Sequence, residues 1–312
     1  SPIVLFKNFK KKKIDIIFIY ATSPIFQALP AILYGKLNRI PVVLWVQDIW
    51  PDVLKDLGII KDKSILDVVN FFVKIIYKNS DYVFVQSLSF KKKISRYTDK
   101  KIQILYNPEN KKTTNKNLRK VSKNFIITYA GNIGKAQSFH TLVAALKKID
   151  NSKFEIHIYG DGSEKIKLQK DINKFNLDNT VKLFKPISKT EIDIALSKSN
   201  AFLLILGSGS GLSSTLPAKL QTYIAHNKPI IVSANGESYN FVKNNKLGFV
   251  SRAGNSTGLS RSILDVQKLK KRNIDLIKKR SLILFKDNFE INEWTRLLEQ
   301  KLEKCAEDYK RC

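Results

Sequence analysis

Short apolar runs rich in Ile, Val and Phe alternate along this chain with longer stretches whose apolar positions recur every three or four residues. The runs IDIIFIY (14–20), PVVLWVQD (41–48), DYVFVQS (81–87) and KIQILYN (101–107) have strand length. Between them, SPIFQALPAILYGKL (23–37), SILDVVNFFVKIIYKN (64–79) and LSFKKKISRY (88–97) carry the helical period. The strands are nearly continuous in apolar residues, as parallel strands covered on both faces must be. A polar, Lys- and Asn-rich stretch, NPENKKTTNKNLRKVSKN (107–124), then breaks the pattern and reads as a linker.

After the linker the alternation restarts. Strands are expected at 125–131 (FIITYAG), 154–160 (FEIHIYG), 180–186 (TVKLFKP), 201–206 (AFLLIL) and 229–234 (PIIVSA). Helices are expected at 138–149, 163–175, 187–199 and 217–227, and the tail from 257 is helical, ending in a long helix over 290–309. Such alternation predicts an α/β protein of two Rossmann-like halves. The expected division is 1–123, with four strands and the linker, then 124–288, then a final helix at 289–312 that returns to the first half.

Composition changes this picture in three ways. No apolar run reaches the roughly 18 to 20 residues that span a bilayer. The only cysteines, Cys305 and Cys312, support neither a disulfide framework nor a zinc site. The charge is +28, from 55 Lys and Arg against 27 acidic residues. That field favours anionic partners such as phosphorylated ligands or anionic lipid. The lysines are scattered with few aromatics among them, which argues against a nucleic-acid groove.

In doubly wound sheets ligands lie beyond the carboxyl ends of the strands, so the strand-to-helix turns of the second half are the places to search. The first is GNIGKAQ (131–137), with two glycines, a lysine and no acidic residue. Gly131, Asn132, Gly134 and Lys135 there suit a phosphate, because glycines admit close backbone approach and a following helix presents free N–H groups. The second is YGDGSE (159–164), where Asp161 or Ser163 is expected to cap the next helix. The third is GSGSGLSSTLPAK (207–219), a hydroxyl-rich loop entering a helix at Pro217. Lys219 falls in that helix's first turn, where a cation opposes the dipole, and the cost is recovered if the lysine faces an anion. None of these loops is G-x-G-x-x-G or a Walker loop.

The stretches LWVQDIWPDVL, YAGNIGKAQSFHTL, YGDGSEKIKL and LPAKLQTYIAHNKPIIVSANGE resemble motifs of retaining, nucleotide-sugar-dependent family-4 glycosyltransferases of the GT-B fold. The nearest resemblance is to the branch that builds O-antigen and capsule repeats, which includes proteins assigned as L-fucosamine transferases. The resemblance covers roughly residues 14–303 and implies that the second domain binds a nucleotide sugar, taken here as UDP-linked, with no metal or cofactor. It implies an acceptor on the first domain, a polyprenyl-diphosphate-linked glycan, and a cytoplasmic protein peripheral to the inner face of the membrane, on its anionic surface. By the same resemblance, Gly131, Asn132, Gly134 and Lys135 form the diphosphate and sugar-side loop, and Gly160, Asp161 and Gly162 the turn near the nucleoside. Phe184, Lys185 and Pro186 flank the base. Ser214, Thr215, Leu216 and Lys219 hold the diphosphate, and Thr222 lies near the ribose. Lys135, Lys219 and Asp48 are the candidate catalytic residues, with Asp48 and Trp50 on the acceptor side.

The chain departs from the family pattern at three places. Many members carry two glutamates at the positions of Ser214 and Thr222, and an Arg and a Lys at those of Asn132 and Gln137. A further N-terminal segment, with a strand and a glycine-rich loop, is expected of the family ahead of residue 1. Two other readings stay open on the sequence alone: a non-catalytic or split nucleotide-sugar-binding subunit, and a basic nucleic-acid-binding protein.

Overall fold

A computed structural model describes residues 14–56, 59–60, 62–110 and 124–311. Most of the expected linker, the basic opening of the chain and Cys312 lie outside the described residues. The chain divides into two units, residues 1–107 with 292–312, and residues 108–291.

The first unit is built on four parallel strands, β1 (Ile17–Ala21), β2 (Val42–Val46), β3 (Tyr82–Val85) and β4 (Ile102–Ile104), in the order β1-β2-β3-β4. Right-handed crossovers between sequential parallel strands place their helices on a single face. Accordingly α1 (Ala28–Asn38), the short α2 (Asp52–Asp56), α3 (Lys63–Asn79) and α4 (Leu88–Ile94) contribute Ile32, Leu54, Val73, Ile76, Phe90 and Ile94 to one core with Val42, Leu44 and Val46 of β2. The alternate residues, Val43 and Trp45, point to a second core. That core includes Phe84, Cys305 and, partly buried, Trp294, Leu297 and Leu298. The helix bringing them is the last one (Ile291–Lys310). All five residues of β2 are therefore buried, and a run apolar at every position is what such a strand requires.

The second unit has six parallel strands, β5 (Phe125–Ala130), β6 (Phe154–Tyr159), β7 (Val181–Phe184), β8 (Ala201–Ile205), β9 (Ile230–Ser233) and β10 (Gly248–Ser251). Their order is β10-β9-β8-β5-β6-β7. The chain thus winds outward from β5 to one side, then restarts at β8 on the other, leaving a switch point between β5 and β8. Seven helices accompany these strands: α5 (Phe139–Leu146), α6 (Lys165–Lys174), α7 (Lys189–Lys198), α8 (Ser210–Ser214), α9 (Ala218–Ala225), α10 (Gly236–Asn244) and α11 (Ser256–Gln267). A further helix, α12 (Lys271–Asn288), precedes the last helix of the chain, α13.

The short α2 is absent from the expected pattern, and three further local features differ from it. Strand β10 was not anticipated, being four residues long behind the polar NNK turn at 244–246. The Gly/Ser loop contains α8, a little over one turn of helix where only loop was expected. The turn GNIGKAQ enters α5 through a 3-10 segment, Lys135–Gln137, with Ser138 left-handed at φ 43°. No helix among the described residues is long and apolar enough to cross a membrane.

Candidate functional site

The turns after β5 and β6 cross and are tied together by backbone bonds. The Gly131 N–H donates to the Tyr159 carbonyl at 2.9 Å, and the Ile133 N–H donates to that of Asp161 at 2.7 Å. Gly160 has φ +155°, and a Cβ there would stand 1.9 Å from the Gly131 carbonyl oxygen. Only glycine permits this crossing. The crossing delivers the Gly131–Asn132 backbone to the carboxyl end of the sheet, beside the switch point.

Helix α9 approaches the same place from β8. Pro217 precedes its first turn, and Lys219 projects from that turn. The Lys219 ammonium donates to the Tyr129 hydroxyl at 2.7 Å, which itself donates to the Asn132 carbonyl at 2.5 Å. The ammonium also lies 4.2 Å from the centroid of the Tyr129 ring. These partners are neutral. Burial without a countercharge holds the Lys219 ammonium down at about 8, against an ordinary 10.5. Tyr129 is fully buried, and burial raises its phenol well above the usual range. One turn along α9, the Tyr223 hydroxyl accepts the Ala130 N–H at 3.0 Å while its ring stacks on Phe202 at 4.7 Å. That pair anchors the helix to β5 and β8, so the position of Lys219 is set by the core.

A cavity of about 510 Å³ opens on this arrangement. Gly131, Asn132, Gly160, Asp161, Lys219 and Thr222 form its polar wall. Its apolar lining comes from Pro186 and Ile187 after β7, Ile192 and Leu196 of α7, and Tyr159, with Lys189 and Asp193 of α7 among them. Tyr159 stacks on Phe184 at 4.5 Å and 11°. The Lys165 ammonium fixes the turn behind it, donating to the Gly160 carbonyl at 2.9 Å and the Phe184 carbonyl at 3.4 Å. The lining therefore offers an ammonium to an anion and apolar, aromatic surface to a flat group.

A carboxylate outside the lining is bonded to two of its residues. The Thr222 hydroxyl, one turn beyond Lys219, donates to Glu109 Oε2 at 2.6 Å. Glu109 Oε1 accepts the Asn110 N–H at 2.9 Å and lies 3.6 Å from the ammonium of Lys189, another residue of the cavity wall.

Of the sequence-selected residues, the cavity brings together Gly131, Asn132, Gly160, Asp161, Pro186, Lys219 and Thr222, with Phe184 behind Tyr159. Lys135 and Gly134 lie elsewhere, on a small separate cavity with His140, Glu164 and Asp171. Gly162 and Lys185 do not line the large cavity, and Leu216 and Ser214 are buried. The Thr215 hydroxyl donates back to the Gly211 carbonyl at 3.0 Å. Asp161 does not cap α6: its carboxylate takes the Gly162 N–H at 2.8 Å, and the N-cap residue is Glu164, whose side chain makes no capping bond. In the first unit, the Trp50 indole donates to Ser23 Oγ at 3.1 Å, and that hydroxyl donates to Asp48 at 2.8 Å. Among the described residues, no three His, Cys, Asp or Glu side chains gather as a metal site.

The sequence reading missed Tyr129, Tyr223, Lys189 and Glu109. In the sequence Tyr129 and Tyr223 are ordinary strand and helix positions. Glu109 fell in the stretch read as linker, where nothing in the pattern marks it.

Solved structures of low identity share this fold. A glycosyltransferase from Rickettsia africae ESF-5 superposes with a TM-score of 0.74 at 18% identity, over 97% of this chain and 80% of that one. The lipopolysaccharide outer core galactosyltransferase WaaB, in its apo form, gives 0.70 at 17%, over 97% and 79%. Anabaena Alr3699/HepE in complex with UDP and glucose gives 0.69 at 16%, over 93% and 77%. No curated protein matches the sequence. The profile of the family described as glycosyl transferases group 1 matches residues 110–281, more than half of the chain. With that match, and with the two parallel-sheet units of the GT-B fold, the chain belongs to the group 1 glycosyl transferases.

Proposed function

We propose that this protein is a retaining family-4 glycosyltransferase. It moves a sugar, which we take to be an N-acetylated amino sugar, from a UDP-linked donor to a polyprenyl-diphosphate-linked glycan in bacterial surface-polysaccharide synthesis. The observation that carries the donor half is the placement of Lys219. A half-buried ammonium whose contacts are with the neutral Tyr129 lines a 510 Å³ cavity that also presents apolar and aromatic surface. A nucleoside diphosphate has matching parts, a flat base and a charged tail. The solved structures of HepE with UDP and UDP-glucose, and of a pneumococcal O-GlcNAc transferase with UDP and GlcNAc, support the nucleotide assignment by likeness of fold.

Departure of UDP puts growing negative charge on the β-phosphate. Lys219 and the N-terminal N–H groups of α9 meet that charge without having to reorganise, the most effective form of electrostatic stabilisation. The reading requires no metal and no cofactor. In the first unit, Asp48 is the carboxylate we assign to the acceptor hydroxyl, oriented by Ser23. The net charge of +28 favours work at an anionic membrane surface, which we take to be the cytoplasmic face of the cell membrane.

The test is calorimetric titration with UDP, GDP and ADP in the absence of metal, repeated on Lys219→Ala. Micromolar UDP binding that collapses in the variant supports the donor site. Absence of binding to all three nucleotides sinks the transferase reading.

A further inference from the structure

The carboxylate of Glu109 adds to those of Asp161 and Asp193, which line the same cavity as Lys219. A carboxylate beside that cavity repels any anion that enters. Yet the structure holds it firmly. Its side chain is 12% exposed, the Glu109 N–H donates to the carbonyl of the buried Phe289 at 2.7 Å, and Thr222 and Lys189 both bond to the carboxylate. Each of those two side chains also faces the cavity. An ionised carboxylate only accepts hydrogen bonds, so a ligand portion that passes it without penalty must offer donors.

Position narrows the choice of donor. Thr222 is three residues beyond Lys219, about 4.5 Å along α9 at the usual helical rise. It lines the same cavity as Lys219, Pro186 and Ile187. In a nucleotide lying along that cavity, the group between base and phosphate is a pentose with neighbouring hydroxyls. The Thr222 hydroxyl proton is already committed to Glu109, so the oxygen turns lone pairs, not a proton, to the cavity. We propose that Thr222 and Glu109 form a composite acceptor for the cis-diol of the donor's ribose, with Glu109 setting the polarity of Thr222 and adding its own charge. The carboxylate comes from the segment preceding the second unit's sheet, and the helix contributes only a hydroxyl.

This assignment rests on the nucleotide-sugar reading above, and the experiment separates the two. UDP, 2′-deoxy-UDP and 2′,3′-dideoxy-UDP are titrated into the full chain, then into Glu109→Gln, Thr222→Val and the double variant Glu109→Ala/Thr222→Glu. The wild-type protein prefers UDP to the dideoxy analogue by at least about tenfold, as expected for bonds to a charged acceptor. Glu109→Gln and Thr222→Val lower UDP affinity and shrink that preference to under about threefold, while dideoxy-UDP affinity does not fall and rises in Glu109→Gln, where the repulsion is gone. The double variant, which moves the carboxylate onto α9, restores the preference. A Glu109 that merely anchors its loop predicts equal weakening of all three ligands in Glu109→Gln, with the preference intact, and that result overturns the proposal alone. Failure of the wild-type chain to bind any of the nucleotides overturns both readings.

Discussion

The Lys219 ammonium stands 2.9 Å from the point where a Cβ on Gly131 would lie. Two residues 88 positions apart thus share one small space, and the absence of a side chain on one is the condition for the position of the other. Gly131 also has φ +139°, so its backbone is already in a region that side chains avoid. Replacing Gly131 by Ala is expected to displace Lys219 and weaken UDP binding by at least about tenfold while the fold survives. Calorimetry alongside circular dichroism checks both halves.

Protonation of Lys219 should be visible in binding. Its ammonium titrates at about 8 in the free protein, and a diphosphate favours the charged form, so the complex takes up a proton. At pH 8 uptake should approach about half a proton, and affinity should fall as pH rises through 8. The sign for folding is opposite. A lysine with a depressed folded value penalises the fold below about 8, and stability rises as pH climbs from there toward 10.5. Titration at pH 8 in buffers of differing ionisation enthalpy measures the uptake, and Lys219→Arg should bind without it.

Tyr129→Phe removes the hydroxyl that joins Lys219 to the Asn132 carbonyl. The ring stays, so packing is preserved. The ammonium loses an acceptor in a desolvated site, and the pH midpoint of proton uptake should move below 8. An unmoved midpoint would show that the hydroxyl does not support the charge.

Gly160→Ala places a methyl group 1.9 Å from the Gly131 carbonyl oxygen, on a backbone at φ +155°. The two crossing turns must separate, at an expected cost above about 2 kcal/mol. Urea unfolding measures the loss, and nucleotide binding should vanish with it.

In the first unit, Trp294 lies against Trp45 at 5.3 Å and donates its indole N–H to the Tyr106 carbonyl at 2.7 Å. Trp294→Ala should cost about 2 to 4 kcal/mol by losing area and bond together. Trp294→Phe keeps most of the area and should recover more than half of that loss, measured by the same urea midpoint.

How much of this was legible beforehand depends on range. The α/β class, the parallel strands and the strand-to-helix turns follow from local pattern, because a strand buried on both faces must be apolar at every position. Val42–Val46 and Ala201–Ile205 read that way unaided. The candidate status of Lys219 was also local, since a lysine in a helix's first turn opposes the dipole wherever the helix lies. Short elements such as Gly248–Ser251 carry too few residues for a period to show.

What the tertiary structure alone decided is which chemically marked residues meet. Lys135 and Lys219 look alike in sequence, each in a turn fit for an anion. The 3-10 segment at Lys135–Gln137 puts the former on its own small cavity, whereas Tyr223 and Tyr129 fix the latter on the large one. Glu109 is the sharper case. Nothing local distinguishes it from the polar residues around it, and it meets Thr222 across 113 positions of chain. Periodicity reports which face a residue shows to its neighbours along the chain. It carries no information about pairs brought together by the winding of a sheet, where a hydrogen bond is decided by distances of a few tenths of an ångström.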